Sequence, residues 1–372
     1  MALEINCYRA PVFKENLYEG CVRLENNFMR SSQTIAIIGT LSTSAVSFRG
    51  PMIRKMITCG HKVYVFCSDY NNDTRKAISD MGAIPVDSPF QRKGFNPVKE
   101  FLNCFKLAKQ LREREIDIVL THFTKPNIFG MFSARLAKVP RRVMMVEGLG
   151  FAFTRRPTPD TLKQKLVRAI LVFLYARAVA MSHHIIFLND DDPKTFCKKN
   201  IKLPKYDVLG AIGAPVKNVK VTDPPNDLVC FAFIGRFIKD KGIVDFLKAG
   251  ETFSNQSSVQ FLALGDGDEA NPETLSKAEQ KKYEKLDNFE FPGFVYNAGH
   301  KLQEEISVLV LPSYREGFPR TVQEAMAAGR PAIVYDTPGC RQAVVHNETG
   351  LIVPPFDIEK LAAAMRFFAD NP

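Results

Sequence analysis

Two carboxylates, Glu316 and Glu324, sit in the segment Arg315-Glu316-Gly317-Phe318-Pro319-Arg320-Thr321-Val322-Gln323-Glu324-Ala325-Met326, which reads as a loop leading into a helix. The helix is expected to begin at about Pro319, where a proline has no N–H to waste, and to stop at Gly329. Its open N-terminal amides, beside the small Gly317, make a place for negative charge or sugar oxygens. Each carboxylate can accept paired hydrogen bonds from vicinal hydroxyls of a sugar or ribose, and both can face one cleft. Taken alone, a glutamate near a helix start is equally well accounted for by the helix dipole.

A second cluster stands upstream, with Gly235-Arg236 directly after an apolar run and Lys241-Gly242 a short way on. The planar fork of an arginine and the mobile charge of a lysine suit a diphosphate whose leaving oxygen gains charge as its bond breaks. The plain alternative is a solvated basic turn, since Lys239 and Asp240 lie between. In the first half, Thr121-His122-Phe123-Thr124-Lys125-Pro126-Asn127 follows an apolar run, so a side chain there would project into a cleft. A lone histidine is more often structural, and His183 and His184 read as helix-end or core residues.

The elements that must position these groups alternate along the chain. Runs at Thr34–Gly39, Lys62–Cys67, Ala83–Val86, Ile116–Thr121, Val143–Val146 and Ile185–Leu188 read as strands, with helices near Pro51–Cys59, Pro97–Arg114 and Asn127–Lys138. After Gly210–Asp227, rich in Gly and Pro, a second series begins with strands near Leu228–Ile234, Val259–Leu264, Ser307–Leu311 and Ala332–Tyr335 and ends in a helix at Ile358–Phe368. The expected division is an N-terminal arm (1–33), a first domain (34–212), a linker (213–227) and a second domain (228–372). The fold class is α/β: two Rossmann-like, doubly wound domains facing across a cleft, with ligands at the carboxyl ends of the strands. Thr161–Ala180 reads as a helix whose apolar run, Ala169–Ala176, is too short to cross a bilayer. It is either a buried helix or an interfacial one rimmed by Lys and Arg.

Composition narrows the classes. The 372 residues carry a net charge of +10, but residues 1–200 hold 31 Lys and Arg against 17 Asp and Glu, and the remainder 19 against 23. A basic first half suits an anionic partner, whether nucleic acid, lipid headgroups or a phosphorylated substrate. No aromatic-and-basic RNA motif accompanies the charge, so nucleic acid is not expected. Eight cysteines without a CxxC pair and an N-terminal segment holding Glu4, Glu15, Glu19 and Glu25 suggest a reduced cytosolic protein with no secretory signal. The first strand leads into Gly39-Thr40-Leu41-Ser42-Thr43-Ser44, which lacks GxGxxG and argues against a nicotinamide dehydrogenase. A nucleotide-sugar epimerase of similar fold, or a nonenzymatic sugar-binding scaffold, stays open at this level.

From Thr34 to the end the chain resembles glycosyltransferase family 4, with its GT-B fold. The elements carrying the resemblance are Glu316 with Glu324, Gly235-Arg236 with Lys241-Gly242, Gly265-Asp266-Gly267, Pro312-Ser313 and Pro338-Gly339. The resemblance implies a retaining enzyme needing no cofactor or metal, in which Arg236 and Lys241 act on the donor diphosphate in place of one. It implies that Gly235, Gly317, Phe318 and Pro319 hold the sugar-phosphate, that Glu324 holds the ribose, that Glu316 binds hydroxyls of the donor sugar, and that Phe294, after Pro292-Gly293, lies by the base. His122 would approach the donor sugar and the attacking hydroxyl. Thr121, Lys125, Asn127, Glu147 and Gly148 would face the acceptor. The segments 121–127 and Glu147-Gly148-Leu149-Gly150-Phe151-Ala152-Phe153-Thr154 resemble those of bacterial enzymes that extend undecaprenyl-diphosphate-linked sugars for O-antigen or capsule, N-acetylgalactosaminyl α1,3-transferases among them. That implies a UDP-sugar donor, a lipid-linked acceptor and a peripheral position on the anionic cytoplasmic face of the membrane. Such enzymes usually continue past the position of Phe368 into a helix that crosses back to the first domain, and this helix is expected to be missing here.

Overall fold

A computed structural model describes residues 32–91, 97–214, 219–225, 228–268, 271, 273–295 and 298–371. Most of the expected arm (1–31) and parts of the expected linker (215–218 and 226–227) fall outside them.

The first sheet has seven parallel strands: β1 (Thr34–Ile38), β2 (Lys62–Cys67), β3 (Ile84–Asp87), β4 (Ile118–His122), β5 (Arg141–Val146), β6 (His184–Phe187) and β7 (Lys205–Val208), in the order β3-β2-β1-β4-β5-β6-β7. The second has six: β8 (Val229–Ile234), β9 (Val259–Leu264), β10 (Phe289–Gly293), β11 (Val308–Leu311), β12 (Ala332–Tyr335) and β13 (Gly350–Val353), in the order β10-β9-β8-β11-β12-β13. Ile35–Ile38 and Val229–Phe233 are buried throughout, as strands covered by helices on both faces must be. The strand order reverses between β1 and β4 and again between β8 and β11. These are the two places where an open α/β sheet leaves a crevice at its carboxyl edge. Gly39 and His122 end the first pair; Gly235-Arg236 and Pro312-Ser313 end the second.

The helices are α1 (Ser42–Thr58), α2 (Asn72–Asp80), α3 (Pro97–Glu113), α4 (Met131–Leu136), α5 (Leu162–Met181), α6 (Asp191–Lys198), α7 (Ile243–Glu251), α8 (Lys277–Tyr283), α9 (Ala298–Glu304), α10 (Arg320–Ala327) and α11 (Ile358–Asp370). Two depart from the expectations. The first helix begins not at Pro51 but at Ser42, with Pro51 inside it, so the carbonyl of Ser47 loses its intrahelical donor. The helix expected at Asn127–Lys138 opens with a π-helical turn, Pro126–Gly130, before α4.

Helix α5 is buried along one face and exposes an apolar row along the other. Its capping box, Thr161 with Gln164, starts it, and Tyr175, Ala178 and Val179 pack inward. Leu162 (85% exposed), Leu166, Ile170 and Phe173 (63%) form a row on the opposite side. On the same side of the sheet, α3 exposes Val98, Phe101, Leu102 and Phe105, and α4 packs between the two helices. Among the described residues, no helix is long and apolar enough to cross a membrane.

Candidate active site

The crevices of the two sheets face each other and form two hollows that share Phe48, Ile234, Gly235, Arg236 and Thr321 as a common wall. The larger, about 890 Å³, is lined by the Gly265–Asp268 turn, the start of α8 and Phe294. The other, about 500 Å³, is lined by Thr40, Ser44, Phe123, Glu147, Lys241 and Glu316–Arg320. Arg236 stands where the two hollows join, and Lys241 opens into the second.

Local packing explains how Lys241 is held. A short 3-10 turn, Lys239–Lys241, follows β8, and the backbone N–H of Tyr314 and the hydroxyl of Ser313 donate to the Asp240 carbonyl at 3.0 and 3.2 Å. Beneath it, Tyr314 and Tyr335 donate to the buried Asp245 carboxylate at 3.2 and 2.9 Å. Burial pushes that carboxyl above its usual range, and the two hydroxyls pull it partly back. The Lys241 ammonium meets Glu316 at 2.5 Å. Arg236 meets Asp268 at 3.2 Å, and Arg320 meets Glu324 at 2.7 Å, one turn apart on α10. Each cation of this wall thus rests on a carboxylate that an incoming diphosphate or hydroxyl would have to displace.

The first-domain wall is buried. The His122 ring lies behind Gly39, where a β-carbon would come within 2.5 Å of Nε2, so only glycine allows the β1 turn to pass over it. Neither ring nitrogen has a hydrogen-bond partner among the described residues, and Glu147 lies 3.6 Å from Nδ1, beyond hydrogen-bond range. Burial, aided by the nearby Arg49, lowers the His122 pKa from 6.5 to about 3, so the ring is neutral at physiological pH. Arg49 of α1 forms a buried ion pair with Glu147, and burial lowers its own pKa to about 10. Phe123, next to His122, holds a left-handed φ of 70°, a strained backbone of the kind stored at working sites.

The domains touch directly. Gly148 (φ 100°) and Gly317 pack backbone to backbone: a β-carbon on Gly148 would fall 3.1 Å from the Gly317 nitrogen. Asn189 donates to the Gly317 carbonyl at 2.8 Å. Arg315 reaches the buried Asp192 at 2.6 Å and the Phe153 carbonyl at 3.1 Å. Arg156 meets Asp240 at 2.8 Å and Glu273 at 3.2 Å. At the cleft mouth, Arg320 stacks over Phe48 with its guanidinium carbon 4.5 Å from the ring centre. Arg320 also donates at 3.3 Å to the Ser47 carbonyl, the one that Pro51 leaves open.

The structure therefore gathers Gly235, Arg236, Lys241, Phe294, Glu316, Gly317, Phe318, Pro319 and Glu147 around the hollows, with Phe294 74% exposed at the outer edge. Other expected positions lie away from the hollows. Thr121 and Asn127 are fully buried, bonded to each other at 2.7 Å, with the Asn127 amide donating to the Met145 carbonyl. They fasten the end of β4 to β5 and cannot meet an acceptor. Lys125 turns away to Glu100 at 2.6 Å. Glu324 lines neither hollow, being drawn along α10 by Arg320. Gly148, expected to face the acceptor, is a backbone contact between the domains. Sequence reasoning missed Arg49, Phe48, Arg315 and Arg320. Among the described residues, no group of three or more His, Cys, Asp or Glu gathers at a spacing that could hold a metal ion.

Comparison with known proteins agrees with this arrangement. Residues 217–372 match the family model "Glycosyl transferases group 1" and residues 40–185 match "Glycosyl transferase 4-like". The chain is 28% identical over 339 residues to the N,N'-diacetylbacillosaminyl-diphospho-undecaprenol alpha-1,3-N-acetylgalactosaminyltransferase of Campylobacter jejuni, covering 84% of each. It is 26% identical to the Escherichia coli UDP-Gal:alpha-D-GlcNAc-diphosphoundecaprenol alpha-1,3-galactosyltransferase, covering 74% of this chain and 72% of that one. Among solved structures, sucrose-phosphate synthase from Thermosynechococcus elongatus superposes with a TM-score of 0.73 at 18% identity, over 91% of this chain and 90% of that one. With one model on each domain and the cleft between them, the chain belongs to the group 1, family-4-like glycosyltransferases and is an enzyme with the GT-B fold.

Proposed function

We propose that this enzyme moves a hexose or N-acetylhexosamine, with retention of configuration, from a UDP-sugar to a sugar carried on undecaprenyl diphosphate, in bacterial surface polysaccharide synthesis. The observation that carries the reading is the pair of joined hollows, with Arg236 at the junction and Lys241 beside Glu316 in the inner one. The names of the two relatives supply the acceptor class, and one supplies the UDP donor. Among sugars and linkages, transfer of N-acetylgalactosamine in α1,3 linkage is the specific form we propose, after the relative that covers most of the chain.

In this reading the base lies by Phe294 and the ribose reaches Glu324 once Arg320 lets it go. The diphosphate takes Lys241 from Glu316 and Arg236 from Asp268. Freed, Glu316 accepts from hydroxyls of the donor sugar. The acceptor hydroxyl attacks the anomeric carbon on the face from which the diphosphate departs. The carbon–oxygen bond to the phosphate breaks, and the acceptor proton passes to the leaving phosphate oxygen. Arg236 and Lys241 stabilise the charge that grows there, the role a metal ion plays elsewhere. A neutral His122 offers a ring nitrogen to a sugar hydroxyl when the turn after Gly39 shifts. The outward apolar rows of α3 and α5, on the basic first domain, suit contact with an anionic membrane at its cytoplasmic face.

The test is a panel of labelled UDP-sugars offered with undecaprenyl-diphosphate-linked acceptors, with NMR of the product and a parallel series in excess chelator. One UDP-sugar should be transferred with its anomeric configuration kept, chelator making no difference. Turnover of donor without transfer, an inverted product, or strict dependence on a divalent ion would sink the reading.

A further inference from the structure

A third hollow lies outside the cleft, about 630 Å³, between the residues after Glu147-Gly148 and helices α5 and α6. Arg155, Arg156, Lys165, Arg168 and Lys199 line it, against a single carboxylate, Asp160. Arg168 is held by Asp160 and Arg156 by Asp240 and Glu273. The side chains of Arg155, Lys165 and Lys199 have no ion-pair partner among the described residues. Lys165, Ala169 and Val172 of α5 line one side. At 100° per residue they stand on the flank of the helix directly beside the row Leu162, Leu166, Ile170 and Phe173, whose exposure is the largest apolar feature of that helix. One unneutralised cation, Lys165, and an apolar ridge therefore adjoin on one helix, with Arg155 and Lys199 lining the same hollow from outside it.

We infer that this hollow binds the diphosphate of the lipid-linked acceptor, with the first isoprene units of its chain lying along the α5 row. The inference rests on the acceptor class proposed above and says where that acceptor is held. Charge and shape both match. Two linked phosphates need more than one cation in a shallow basin, and a prenyl chain needs apolar surface that begins where the phosphates end. The hollow also lies where the chemistry requires. Its rim residue Phe153 accepts a hydrogen bond from Arg315, the residue before Glu316, and its rim residue Arg156 pairs with Asp240, the residue before Lys241. The chain from Gly148 to Phe153 spans at most about 18 Å. A sugar attached to a diphosphate in the hollow thus points along the 147–154 segment towards Glu147 and Glu316.

The experiment measures binding of farnesyl diphosphate to the full chain with UDP saturating the donor site, so that Arg236 and Lys241 are already occupied. The exposed double change Arg155→Gln/Lys165→Gln should weaken that binding tenfold or more and leave UDP affinity as it was, which also shows that the variant is folded. Leu166→Ser/Phe173→Ser should weaken farnesyl diphosphate but not inorganic diphosphate. No binding by the wild type with UDP in place, or equal binding by wild type and the Arg155/Lys165 variant, overturns the inference. So does a loss confined to phosphatidylglycerol vesicles, which would make the basin a general headgroup site. Because no sugar is transferred in this assay, its failure leaves the transfer reaction standing, and a failed transfer assay leaves the binding result standing.

Discussion

The first-domain wall of the cleft buries its polar groups, whereas the second-domain wall keeps them within reach of water. His122 and Arg49 are 1% and 2% exposed, while the side chains of Arg236 and Lys241 retain 50% and 26%. The cations of the second wall are matched by carboxylates of their own domain, at distances a ligand can break: Lys241 with Glu316, Arg236 with Asp268, Arg320 with Glu324. Those of the first wall are committed, since Arg49 and Glu147 neutralise each other out of water and His122 is packed under Gly39. The contrast suits a division of labour. A wall that must exchange partners with a diphosphate needs weak, solvated pairs, and a wall that must hold a neutral ring in one place needs rigid packing.

The largest effect is expected on the exchangeable side. Replacing Lys241 by alanine removes a positioned charge from the leaving diphosphate and should cost about 3–4 kcal/mol of transition-state stabilisation, a drop of roughly 10²–10³ in kcat. Single-turnover transfer from the preferred UDP-sugar measures it. Turnover at the wild-type rate would mean that the Lys241–Glu316 pair is structural, and the contrast between the walls would lose its functional meaning.

Much of this architecture was legible because parallel strands covered on both faces read as unbroken apolar runs, as β1, β2, β8 and β9 do. The edge strand β7, Lys-Tyr-Asp-Val with its first three residues exposed, carries no such run and was not seen. The start of α1 was hidden by small and polar residues and by Pro51, which looked like a beginning. The second wall was readable from spacing because Arg236, Lys241 and Glu316 follow strand ends. The first wall was less so: Arg49 acquires its meaning only from Glu147, just after the distant strand β5, and nothing local in Ser47-Phe48-Arg49 announces that partnership. Thr121 and Asn127 were misplaced for a related reason, since polar residues after a strand can serve the backbone as readily as a ligand.

The packed side offers the next effect, through pH. The folded protein holds the His122 pKa at about 3 against 6.5 for a free histidine, so below pH 6.5 the unfolded chain takes up a proton that the folded one refuses. Stability is therefore fully present above pH 6.5 and is lost as pH falls towards 3. Between pH 7 and 5 this amounts to about 2 kcal/mol. Urea unfolding of the wild type should weaken by that amount relative to His122→Asn, which has no proton to bind. Parallel pH dependences for the two proteins would show that water reaches the ring and that the first wall is as open as the second.

The smallest effect concerns the place where the walls meet at the cleft mouth. Arg320 leaves its own domain to stack on Phe48 and to fill the hydrogen-bond vacancy that Pro51 creates at Ser47, while the same guanidinium holds Glu324 away from the hollows. Donor binding should therefore sense both partners at once. A double-mutant cycle on UDP affinity, with Arg320→Gln and Phe48→Leu, should give a coupling of about 0.5–1 kcal/mol, the size of an exposed cation–π contact. Glu324→Gln should shrink the Arg320→Gln effect, because the carboxylate that Arg320 restrains is then gone. Additive effects of Arg320 and Phe48 would mean that the two walls close independently, and that Glu324 is released from Arg320 without help from Phe48.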